Sequence, residues 1–357
     1  EVWPAVRRAV IDYHAPAYPG HTLRFHLAVT RLGRTSFTMR QVARRESDDV
    51  LIATAESVFV CIDKTGAAVP VPSEVAAFLL PALPSVAATM RMITVHGLEL
   101  AVDDRGSGPA LVFLHGYPFD GTLWRHQAGA FPGWRTIIPD LRGFGRSDAP
   151  DLGYSMATYA DDLAAMLDAI GVDDVVLVGL SMGGYVAFEF LRRHRPRVRA
   201  LALVDTRATA DSAEGRKGRE IAMASAREGG APLIAEQMLP KLLAKSAPHA
   251  LADELRTMMA GAPVPGLLGA LAAMRDRPDS TSLLAGLKGL PTLVVVGAED
   301  VLTPPREAEA MAKAIPGAKL AIVPDAGHLP PLEQPEAFNR HLATLLAAVT
   351  ESRPPVG

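Results

Sequence analysis

The sequence predicts an α/β fold, a doubly wound parallel sheet with a helical cap, preceded by a separate set of antiparallel strands. Three observations carry this. From Ile93 onward, short runs such as Leu111 to Leu114, Val175 to Val178 and Leu293 to Val296 are apolar on consecutive residues, as strands buried on both faces must be. Between two of these runs Leu163, Met166, Leu167 and Ile170 recur at helical spacing, and Gly171 sits where a C-terminal cap belongs. Ahead of residue 63 the pattern alternates instead, with Leu23, Phe25, Leu27 and Val29 set against polar neighbours.

Length and composition bound the function. A chain of 357 residues with 49% apolar and 21% charged residues can bury a sizeable core in two domains or one large one, and wholesale disorder is excluded. With 36 Lys+Arg against 39 Asp+Glu there is no basic field of the kind nucleic acid or an anionic membrane requires, so neither partner is expected. The single cysteine, Cys61, rules out an internal disulfide and a cysteine-built zinc site, and it reads as a small core residue of a strand. A reducing compartment follows as the expectation, with the cytoplasm as default. No apolar run approaches the roughly 18 residues of a membrane helix. The opening Glu1-Val2-Trp3-Pro4 lacks an initiator Met and a signal pattern, which reads as the inside of a longer product.

Four strands are expected in front: about Ala5 to Tyr13, His21 to Leu32, Ser36 to Arg44 and Val50 to Ile62, with a hairpin turn at Gly33. Such a sheet has one face to bury, and this segment offers no long amphipathic helix to cover it. Pro70, Pro72, Pro81 and Pro84 punctuate a linker with a short docking helix near Ser73 to Leu80, and the domain boundary falls near 85 to 91. The division is then residues 1–85, residues 86–350 and a tail at 351–357. The remaining strands are Thr136 to Ile138, Leu201 to Val204 and Leu320 to Val323. A stretch from about Thr206 to Gly289, helical in composition and dotted with Met223, Met238, Met258, Met259 and Met274, reads as a cap inserted over the sheet.

Chemistry concentrates at strand ends. Gly179-Leu180-Ser181-Met182-Gly183 joins a buried strand to a helical stretch, Gly184 to His194, so Ser181 is held on a tight turn with its hydroxyl projecting. A serine nucleophile needs a base. Of ten histidines, His328 follows the strand Leu320 to Val323 on a loop where open α/β sheets build their sites, whereas His194 and His341 lie on helices and read as structural or solvated. The carboxylate that orients the base is Asp300, just past Leu293 to Val296, or Asp205, at the end of Leu201 to Val204; Glu299 is left to solvent. His115-Gly116-Tyr117-Pro118 follows another strand, so the amides of Tyr117 and Met182 form the expected oxyanion hole, with His115 bracing the loop.

Together His115 to Pro118, Asp140 to Asp148, the serine turn, Gly297 to Pro304 and Gly327-His328 resemble the α/β-hydrolase family over about residues 91 to 350. The resemblance implies a Ser181, Asp300, His328 triad, a helical lid over about 206 to 289, no metal and no cofactor, and it makes the Arg142 to Asp148 loop a structural brace. Within the family the sequence looks most like carboxylesterases and 3-oxoadipate enol-lactonases; an aspartate at position 181 would have pointed to a dehalogenase. The front segment resembles the later part of a hot-dog thioesterase domain of the acyl-CoA type, through Tyr13 to Gly20, Thr30 to Ser36 and Val60 to Asp63. That family keeps its acidic catalytic residue and central helix in the earlier part of the domain, so no hot-dog active residue is carried over.

The expected function is a serine hydrolase that cleaves small, largely apolar carboxylic esters through an acyl-enzyme. A lactonase, an acyl thioesterase and a non-hydrolytic binding protein on the same fold are the alternatives. The partner expected is a small-molecule ester, lactone or thioester, and the hot-dog segment suggests a homo-oligomer.

Overall fold

The computed structural model describes residues 3–32, 35–48, 50–70, 72 and 90–351. The expected turn at Gly33, the docking helix near Ser73 to Leu80, most of the 85–91 boundary and the tail beyond Glu351 lie outside the described residues. The chain divides into two compact units, Glu1–Ala88 and Thr89–Gly357.

The first unit is an antiparallel sheet of β1 (Trp3–Tyr13), β2 (Leu23–Leu32), β3 (Ser36–Arg45) and β4 (Leu51–Ile62), in the order β1-β4-β3-β2. Its period-two pattern gives it two unlike faces. Phe37 and Phe59 are cross-strand partners with stacked rings 5.0 Å apart, packed beside buried Cys61. Register puts Val6, Ile11, Tyr13 and Phe25 on that same face, and all four are exposed. No helix is present among the described residues of this unit.

The second unit is built on eight strands: β5 (Met90–Val95), β6 (Leu98–Arg105), β7 (Ala110–Leu114), β8 (Arg135–Pro139), β9 (Val175–Leu180), β10 (Val198–Val204), β11 (Thr292–Gly297) and β12 (Lys319–Val323). Their order is β5-β6-β8-β7-β9-β10-β11-β12, parallel from β8 to β12. At the other edge β5 and β6 form an antiparallel hairpin that the sequence reading did not contain. Its two-residue turn, His96 (φ 49°) and Gly97 (φ 80°), has both central residues left-handed, the geometry that matches strand twist.

The central strands β7, β9 and β11 are buried at every residue, which explains their unbroken apolar runs. Alternate residues feed two cores. Val112, Leu177, Leu203 and Val294 face helices α1 (Met156–Ala169) and α2 (Met182–His194), while Phe113, Val178, Val204 and Val295 face Trp124 and the C-terminal helix. Ser155 caps α1 through its hydroxyl, 3.0 Å from the Thr158 amide. Between β10 and β11 the chain forms α3 (Ala213–Met238), broken at Gly230, then α4 (His249–Ala260) and α5 (Val264–Arg275). Helices α6 (Pro305–Ala314) and α7 (Pro335–Glu351) complete the unit. Among the described residues no single helix is long and apolar enough to cross a membrane.

After β7 the chain adds β8 on one side and β9 on the other. The strand order reverses there, so the carboxyl ends of β7 and β9 form the switch point at which open α/β sheets build their sites.

Candidate active site

The residue after β9 is Ser181, whose backbone (φ 52°, ψ −110°) lies where a side chain is strained. Hydrogen bonds hold it there. Its N–H donates to Val204 O (2.9 Å), and its carbonyl accepts from Gly184 N (2.9 Å) and the Thr206 hydroxyl (2.8 Å). A Cβ at Gly179 would collide with the Gly183 carbonyl, and one at Gly183 with that of Leu114, so the turn closes only because both are glycine.

From β7, Gly116 packs against the same turn, close enough that a Cβ there would sit 3.3 Å from Ser181 Cβ. His115 fixes this loop. Leu141 N–H donates to its Nε2 (3.0 Å), so its Nδ1–H donates to Gly116 O (3.0 Å), and full burial pushes its pKa down to about 4. It stays neutral, a brace between two loops. The amides of Tyr117 and of Met182, the first residue of α2, have no acceptor among the described residues.

Asp300 and His328 follow the neighbouring strands β11 and β12, and each is 3% exposed. His328 Nδ1 donates to Asp300 Oδ2 at 2.8 Å. The same oxygen accepts from the Thr303 hydroxyl (2.6 Å), and Oδ1 from the amides of Leu302 (2.8 Å) and Thr303 (3.1 Å). Burial opposes charge on Asp300, but the adjacent His328 and these donors outweigh it and hold the carboxyl well below its usual range. Ser181 Oγ makes no hydrogen bond to His328 or to any other described residue.

Asp205, at the end of β10, also joins this group: donor atoms of Asp205, Asp300 and His328 all lie within 4.8 Å of one another. Its Oδ1 accepts from Gly297 N (2.9 Å), and its buried Oδ2 has no partner. Burial, then the Asp300 charge, push this carboxyl well above its ordinary range. The two acids are driven apart, and the ionised one is Asp300, which touches the imidazole. The hydrogen bonds engage both oxygens of Asp300 and, among the described residues, leave Asp205 Oδ2 and His328 Nε2 without a partner.

Around the site, Asp140 accepts from the amides of Gly121 (2.7 Å) and Arg146 (2.9 Å), and burial pushes its carboxyl up to about 6. Arg142 forms a two-pronged pair with Asp162 on α1, both bonds 2.7 Å, which anchors the 142–148 loop. His341 is exposed and His194 bonds Asp161 (3.3 Å). Glu299 is exposed, but its Oε2 accepts from Lys245 N (3.1 Å) of the cap. Sequence reasoning missed Thr303 and Glu333. Thr303 stands three residues after Asp300, a spacing at which a hydroxyl can return to a carboxylate. Glu333 carried no periodic signal.

The family model of the alpha/beta hydrolase family matches residues 111–341, and that of the thioesterase-like superfamily matches residues 1–79. The solved structure of a thermophilic esterase from Thermogutta terrifontis is 42% identical, covers 73% of this chain and 98% of its own, and superposes with a TM-score of 0.70. The enol-lactonase from Burkholderia xenovorans LB400 is 26% identical over 72% of this chain and all of its own (100%), with a TM-score of 0.66. The AB hydrolase superfamily protein YisY of Bacillus subtilis is 29% identical over 259 residues, 70% of this chain and 96% of its own.

Proposed function

The chain belongs to the alpha/beta hydrolase family, and from that premise we propose that it is a serine hydrolase of small, largely apolar carboxylic esters. Ser181 Oγ attacks the ester carbonyl while His328 Nε2 takes its proton, and Asp300 holds the Nδ1–H and the imidazolium that forms. The amides of Tyr117 and Met182 bind the oxyanion. His328 returns the proton to the leaving alkoxide, and water, activated by the same nitrogen, clears the acyl-enzyme. The serine–histidine hydrogen bond forms as substrate fills the site.

The observation that carries this reading is the strained serine beside two unpaired amides, with a buried His328–Asp300 pair two and three strands along. The esterase likeness supports an ester substrate. An enol-lactonase is the second reading, supported by the Burkholderia structure, since a lactone is an internal ester. The thioesterase-like match supports acyl thioesters as a third, with residues 1–85 as a partial hot-dog segment able to mediate self-association, and a cytoplasmic location fits all three.

A panel of p-nitrophenyl esters of increasing acyl length, an enol-lactone and an acyl-CoA, each with the intact protein and with Ser181→Ala, tests the assignment. Expected is highest kcat/KM on short esters and its loss in Ser181→Ala. Thioester cleavage that survives Ser181→Ala would move the activity to the first unit.

A further inference from the structure

Glu333 has no part in the reaction as proposed, yet it is bonded to two segments that the reaction needs. It lies in a short helix, Pro330–Glu333, five residues beyond His328. Its Oε1 accepts from Gly327 N (2.8 Å) and Leu329 N (3.1 Å), the two residues flanking His328. Its Oε2 accepts from Ala244 N (2.7 Å), in the stretch that links α3 to α4. The same two segments meet directly. His328 N–H donates to Leu242 O (2.8 Å), and a Cβ on Gly327 would lie 2.7 Å from Ala244 N.

Three backbone donors from two segments thus converge on one side chain. Only a carboxylate presents acceptors on both of its terminal atoms; a glutamine would turn N–H groups toward one set of these amides. We infer that Glu333 is a positioning residue that fixes the turn carrying His328 and the cap stretch 242–244 with one carboxylate, so that seating of the cap and placement of the histidine are a single event. This rests on the reading of His328 as the general base.

The test is Glu333→Gln in the full chain, with kcat and KM on a p-nitrophenyl ester and amide hydrogen exchange over residues 239–247 and 325–330. Loss of one or two hydrogen bonds to a charged acceptor predicts a fall in kcat of roughly tenfold to a hundredfold, with KM within about threefold. Exchange should rise in both segments together. Glu333→Asp keeps the charge but is too short to span both segments, and should show the same coupled exchange with a smaller loss of kcat. A merely structural glutamate would lower the melting temperature and leave kcat of the folded enzyme unchanged. Unchanged kcat, or faster exchange in one segment alone, overturns the inference. If Glu333→Gln fails to fold, the outcome with Glu333→Asp decides. His328→Ala separates the two levels: activity surviving there overturns the general-base reading itself, whereas an inactive His328→Ala beside a fully active Glu333→Gln overturns only the clasp.

Discussion

Replacing Asp300 by asparagine changes one atom and, on this account, the tautomer of His328. The carboxylate accepts four hydrogen bonds: two backbone amides at Oδ1, and the Thr303 hydroxyl with His328 Nδ1 at Oδ2. An asparagine keeps one acceptor. The Leu302 and Thr303 amides require it at the Oδ1 position, so the NH₂ falls where Oδ2 was and points a donor at His328 Nδ1. That nitrogen must then accept, its proton moves to Nε2, and Nε2 can no longer take the proton of the serine. A lost triad carboxylate of this kind costs on the order of four powers of ten in kcat, or about 5 kcal/mol of transition-state stabilisation. Asp205 gives the contrast: its one hydrogen bond goes to Oδ1 and its Oδ2 has none, so Asp205→Asn retains what the wild-type residue offers. Initial rates on a p-nitrophenyl ester should place Asp205→Asn within about tenfold of wild type and Asp300→Asn about 10⁴ below it. The reverse ranking would refute the reasoning and move the acid to β10.

Other consequences follow from the same contacts. The Asp205 carboxyl is pushed up on folding, so the native state holds a proton that the unfolded chain releases. Stability should therefore fall as pH rises from the ordinary carboxylate range, by up to about 1.4 kcal/mol per pH unit, and Asp205→Asn should remove that slope in melts from pH 4 to 9; an unchanged slope would contradict the assignment. Asp300 has the opposite sign: its depressed carboxyl contributes stability that is fully present above the ordinary carboxylate range and is lost as pH falls below it, so Asp300→Asn should flatten the acid limb of melts extended below pH 4. Gly266 of the cap meets the backbone of Gly143, and a Cβ there would overlap the Gly143 carbonyl, so Gly266→Ala should lower both the melting temperature and kcat/KM. The second unit has its own two cores, so a chain beginning at Ala87 should melt cooperatively and keep full esterase activity; inactivity would make the front sheet part of the site.

What the sequence revealed, and what it concealed, follows from the range of each interaction. The strands β7, β9 and β11 were legible because burial on both faces writes itself into consecutive residues. The serine turn was legible because close backbone approach leaves glycine no substitute at 179 and 183. The β5–β6 hairpin was not, because an edge pair with exposed Arg91 and Met92 carries little alternation and its turn uses a left-handed histidine at 96. Asp205 and Asp300 both read as strand-end acids. The family resemblance favours Asp300, but no local pattern records that its carboxylate is the one 2.8 Å from His328 Nδ1 while Asp205 lies close by. Glu333 was invisible for a related reason: its three partners lie four and six residues away and in the cap, and no local pattern records them together.

The central claim is that Ser181 is the nucleophile activated by His328. Intact-mass and peptide mass spectrometry after treatment with a fluorophosphonate tests it most directly. One adduct on Ser181 is predicted, absent in Ser181→Ala and formed orders of magnitude more slowly in His328→Ala. No adduct from an esterase-active preparation, or an adduct on another residue that tracks the loss of activity, would contradict it.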